Sequence, residues 1–85
     1  MKTLAKALIE TAAFLEFSGD DVIDPDDAVR ELEGIAHTLH SASPDEVAAI
    51  REALKEMVEA SQTDSARETA RRFSDAFLES MGATP

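Results

Sequence analysis

The sequence predicts an all-α protein, a compact antiparallel four-helix domain with helices over about residues 3–17, 25–41, 44–60 and 65–81. Three observations predict it. Apolar residues recur at three- and four-residue intervals through four separate stretches, the period of a helix with one buried face. Prolines and glycines stand where those stretches begin or end, with Gly34 as the exception. The connections left between the stretches are short, which makes successive helices antiparallel neighbours.

The first helix places Leu4, Leu8, Ala12 and Leu15 on one line, with Ala5 and Ile9 beside it. Gly19 follows, suited to the left-handed conformation that ends many helices. This helix also carries Ala7, Ala13, Phe14 and Phe17 on flanking directions, leaving Lys2, Lys6 and Glu10 as its main polar strip. Such a helix is either central or buries two faces.

The second helix has the clearest start. Asp24 is its expected N-cap, and Pro25 takes the first position, where a missing N–H costs nothing. Asp26 and Asp27 face the positive end of the helix dipole. Ile23, just before the cap, is placed to fold back on Ala28 as a hydrophobic staple. Ala28, Val29, Leu32, Ile35, Ala36 and Leu39 then trace the buried stripe, while Gly34 implies either a close backbone approach or simple tolerance.

The third helix opens with Ser43-Pro44-Asp45-Glu46, a full capping box in which Ser43 and Glu46 bond each other's backbone N–H. Val47, Ile50, Ala53, Leu54, Met57 and Val58 form its stripe. The fourth helix is expected to start with Asp64 as cap or with Ser65 paired to Glu68. Ala66, Ala70, Phe73, Phe77 and Met81 are its stripe, with Leu78 off it, and Gly82 is its end. Glu68 and Arg72 have the spacing of a favourable i,i+4 pair.

At 85 residues the whole chain, residues 1–85, makes a single domain. It has no cysteine, which removes disulfides, thiolate chemistry and cysteine-bound zinc. Lys6 and Glu10 interrupt the apolar start too early for a signal peptide, and no window approaches ~18 uninterrupted apolar residues. A cytoplasmic location is therefore expected, with no membrane partner.

Charge is distributed unevenly. From Glu10 to Glu33 there are nine acids against Arg30 alone, so this stretch holds eight of the net ten negative charges. A single-sign field of this kind attracts basic partners and repels nucleic acid and anionic membranes. The Asp-rich run fails as a calcium loop on spacing: from Asp20, the third position is Val22 and the sixth, which needs glycine, is Pro25. Capping accounts for Asp24, Asp26 and Asp27; Asp20 and Asp21 are left as solubilising or binding residues.

No motif of catalysis emerges. Glu33, His37 and His40 lie on one side of the second helix, but a zinc site recruits three or four ligands and no further His or Cys exists. Two histidines near a helix C-terminus, where positive charge is favoured, are the simpler reading. No serine sits in a nucleophile elbow, and the isolated Gly19, Gly34 and Gly82 make no phosphate loop. Arg67, Arg71 and Arg72 alternate with Glu68, Asp75 and Glu79, the pattern of a salt-bridged helix face rather than a nucleic-acid patch. Neither cofactor nor metal is expected.

In size, charge and helix count the chain resembles the immunity proteins of toxin systems and other small inhibitors. That resemblance implies a non-enzymatic protein-binding module, with an acidic first-to-second-helix edge docking a basic partner surface. The expected contact residues are Asp20, Asp21, Asp27, Glu31, Phe14 and Phe17. The alternative is a homo-oligomeric structural or adaptor domain, a homodimer with the first helix as self-contact.

Overall fold

The computed structural model describes residues 1–83. Among them lie four helices and no strand: α1 (Lys2–Phe17), α2 (Pro25–Leu39), α3 (Pro44–Glu59) and α4 (Asp64–Ser80). All four expected helices are present, each boundary within one or two residues of its expected place. The second ends at Leu39 rather than 41 because His40, Ser41 and Ala42 turn away, donating to the carbonyls of His37, Thr38 and Leu39.

Local chemistry sets the starts. The Asp24 carboxylate accepts from the N–H of Asp26 at 2.8 Å and of Asp27 at 3.3 Å, which neutralises free N–H groups at the start of α2. Ile23 and Ala28 both line a small cleft beside this start. The α3 capping box closes in both directions: Ser43 N–H donates to Glu46 Oε1 at 2.9 Å and Glu46 N–H donates to Ser43 Oγ at 3.2 Å. The cap of α4 is instead Thr63, whose hydroxyl accepts from the Ala66 N–H at 3.0 Å. Asp64, expected there, is already helical, and its carboxylate pairs with Arg67 at 3.0 Å.

The ends differ from one another. Gly82 takes the left-handed conformation, with φ +75°. Its N–H reaches the Glu79 carbonyl at 3.0 Å while the Ala83 N–H reaches Leu78 at 2.9 Å, the paired bonds of a Schellman motif. Gly19 is not left-handed; α1 ends on Ser18 in an extended conformation, and the Gly19 carbonyl accepts from Val22 and Ile23 to form the turn toward α2. A Cβ on Gly19 would meet only the Asp21 carboxylate, at 2.8 Å, an exposed side chain free to turn aside, so the turn does not demand a glycine here.

Packing pairs α1 with α2 and α3 with α4 as antiparallel hairpins, then lays α1 on α3 and α2 beside α4. The consecutive helices α2 and α3 are not closely packed, so the second and third helices depart from the expected neighbour relation. The core is Ala5, Ile9 and Ala12 of α1, Ile50, Ala53 and Leu54 of α3, and Phe73 and Phe77 of α4 with Met81 below them. On α1 the inward line is therefore the small-residue one. Alanines at 5 and 12 let α3 approach closely; of the expected line Ala12 is buried and Leu8 packs against the core, while Leu4 is 74% exposed. Leu78, off the α4 stripe, is half-buried against this core, and the Arg51 guanidinium crosses to the Ala83 carbonyl.

No helix among the described residues is long and apolar enough to cross a membrane.

Candidate functional site

Between α2 and α4 the helices do not close on each other, and an open groove of about 730 Å³ runs along their junction. Its apolar wall comes from Val29, Leu32 and Ala36 on α2 and from Phe73, Ala76 and Phe77 on α4. Phe17, at the end of α1, closes one end with its ring 5.5 Å from that of Phe73. Two causes hold the groove open. Thr69 and Ala76 are too small to fill the space beside the Phe73 and Phe77 rings, and Val29 is 52% exposed rather than pressed into α4.

Charged and titratable groups edge this wall: Glu16 and Glu33 on one side, Arg72 on the other, His37 and His40 toward the far end. Arg72 is engaged by Glu68, Nε to Oε1 at 3.3 Å, and Glu68 also holds Arg71 at 3.1 Å. The basic cluster of α4 is thus an ion-paired helix face, as its alternating pattern predicts. His40 Nε2 donates to the Ser80 carbonyl at 2.9 Å and ties the ends of α2 and α4 together. The His37 ring stands 6.4 Å away. Among the described residues no three His, Asp or Glu side chains converge in a way that would hold a metal ion.

A smaller cleft of about 280 Å³ continues the groove toward the acidic turn, sharing Glu16, Val29 and Leu32 with it and adding Asp20, Ile23 and Pro25. Apolar wall and acidic turn therefore form one continuous surface.

The six residues expected to bind a partner divide among several places. Asp20 and Asp21 are exposed on the α1–α2 turn, and Glu31 is exposed on α2. Asp27 is also exposed, but its carboxylate is taken by Arg30 at 3.0 Å. Phe17, 51% exposed, belongs to the groove. Phe14, 55% exposed, lies on the outer face of α1, so the two phenylalanines serve different surfaces.

Val29, Thr69, Arg72 and Ala76 join the site without having been singled out for it. Val29 reads in sequence as core, and the small residues of α4 give no signal until α2 is placed opposite them. Comparison with protein-family models, curated proteins and solved structures gives no match to this chain.

Proposed function

We propose that the protein is a small non-enzymatic binding module, of the inhibitor or immunity type, that docks a basic protein surface. The observation that carries this reading is the continuity of the α2–α4 groove with the acidic turn. An apolar side chain of the partner enters beside Phe17, Val29 and Phe73, while its basic residues meet Glu16, Glu33, Asp20 and Asp21. Apolar burial supplies the affinity and the acidic field the encounter rate and selectivity. Asp27 contributes little beyond α2 stability, because Arg30 neutralises it.

The test uses the protein as bait in lysate of its native source, beside two variants. Asp20→Asn/Asp21→Asn/Glu31→Gln lowers the charge by three and leaves the Asp24 cap intact; Phe17→Glu closes the groove to apolar groups. The wild type should retain a cationic protein that both variants retain poorly. Its association should slow as the Debye length contracts from roughly 30 Å at 0.01 M salt to about 8 Å at 0.15 M. Equal retention by all three, with no salt dependence, would reject the reading.

A further inference from the structure

We infer that the α2–α4 groove takes a basic amphipathic helix of the partner, about three turns long, laid with its C-terminal end beside Phe17. This rests on the docking reading above and specifies which part of the partner enters. The groove is lined from Val29 to His40 on α2 and from Thr69 to Ser80 on α4, the same number of residues on each wall. At ~1.5 Å of rise per residue each wall is about 16 Å long. The walls end together, where the His40 ring donates to the Ser80 carbonyl, and the Phe17 ring against Phe73 closes the other end.

Walls of this kind exclude an extended segment. Both are helices, so their backbone N–H and C=O groups are bonded within each helix and offer nothing to a strand. A segment covered there has to satisfy its own backbone, which a helix does and an extended chain does not. Ala36, Phe73 and Phe77 are buried at the floor, Val29 and Phe17 stand half-exposed above it, and Thr69 and Ala76 leave the space between open. Apolar side chains three and four residues apart on the partner helix follow that line.

Charge selects the sign of the partner helix and its direction. Glu16 and Glu33 line the groove and Asp20 the cleft that continues it, and none of the three is ion-paired among the described residues. Arg72, on the opposite wall, is already held by Glu68. The acids are unevenly placed: Glu16 and Asp20 lie beside Phe17 in the chain, Glu33 stands one turn along α2 from Val29, and beyond it α2 brings only His37 and His40 to the groove as titratable groups. The partner's cations therefore gather at the Phe17 end. Lysine and arginine are favoured at a helix C-terminus, so that end of the partner helix lies there. It then runs against the sense of α2 and α4, both of which finish at the His40–Ser80 bond.

A second copy of this chain does not meet these terms. Its net charge of −10 would bring acid to an acidic groove.

The probe is a pair of synthetic peptides of one composition, each about four turns long, with leucines three and four residues apart. One carries three lysines in its last two turns, the other in its first two. The lysine-last peptide should bind the whole chain about tenfold more tightly and gain helix on binding by difference circular dichroism. Ala76→Arg, an exposed exchange between two good helix formers, should weaken it by about tenfold or more, and Glu16→Gln/Glu33→Gln should level the two peptides. Phe14→Glu, on the outer face of α1, should change neither. No binding of either peptide, equal or reversed affinities, a bound peptide without helix, or an Ala76→Arg chain that binds like the wild type would each overturn the inference. So would a wild-type dimer in sedimentation that Ala76→Arg disperses, since a second copy would then fill the groove. Failure of the docking reading is told apart in the lysate: a retained cationic protein that the lysine-last peptide does not displace keeps that reading and overturns the helix, whereas peptide binding with no protein retained rejects the reading alone.

Discussion

Gly34 and Gly82 should respond to the same substitution with opposite signs. Gly34 lies inside α2, exposed, and a Cβ placed on it meets no heavy atom within 4 Å. The close backbone approach that the sequence allowed for is absent, so Gly34→Ala adds no clash and buries nothing. What remains is the backbone term, ~1 kcal/mol in favour of alanine in a helix interior, part of it a narrowing of the unfolded chain. For a domain of this size that is a rise in Tm of roughly 4–8 °C, or a urea midpoint higher by about 0.5–1 M at an unchanged slope. Gly82 has φ +75°, and its Cβ would stand 3.3 Å from His40 Cε1. Gly82→Ala should therefore cost about 1–2 kcal/mol for the left-handed backbone, with any displacement of His40 added to it. Paired thermal and urea melts followed by circular dichroism measure both. A neutral or destabilising Gly34→Ala would mean that the outer face of α2 is covered in solution, or that the helix does not run through residue 34.

The caps give a second set of expectations. Asp24→Ala, Ser43→Ala and Thr63→Ala should each lower stability by ~1 kcal/mol, whereas Asp64→Ala should cost less, since its carboxylate makes only an exposed ion pair; denaturant melts that rank Asp64 above Thr63 would return the start of α4 to Asp64. The capping box also gives a pH signature. The Ser43 N–H first, and its hydroxyl second, hold the Glu46 carboxyl below its ordinary value of 4.5. A depressed acid stabilises the fold above its unfolded value and loses that contribution as the pH falls through the folded one. The stability difference between wild type and Glu46→Gln should therefore be full near neutrality and shrink below about pH 4.5; a difference constant across that interval would contradict the bond.

The helices could be read from the chain because their starts are local. Asp24-Pro25-Asp26 and Ser43-Pro44-Asp45-Glu46 carry their own hydrogen-bond partners within four residues, and the structure closes those bonds as written. Competition between neighbouring candidates is harder to resolve locally. Thr63 and Asp64 are both sound caps, and one residue of register decides between them. On α1 the expected Leu4–Leu8–Ala12–Leu15 line is only partly inward: Ala12 is buried and Leu8 packs against the core, but the helix is turned toward Ala5 and Ile9, which leaves Leu4 exposed. The groove was not legible at all. It is a space between helices distant in sequence, produced by the smallness of Thr69 and Ala76 opposite Val29, and no periodicity within either helix records it.

The anchoring of α2 has a consequence for how the molecule breathes. Only Ala28 and Ala36 of this helix are buried, against three buried residues in each of the others, among them Ile9, Leu54 and Phe73. Least apolar surface is lost when α2 lifts, so its amides should exchange with solvent before those of α3 and α4. The His40–Ser80 bond then acts as a hinge pin at one end, with the wall of the groove swinging about it. Whatever occupies the groove holds that wall in place, and its footprint will extend to α2 amides that it never touches, registered as slowed hydrogen exchange along the whole helix.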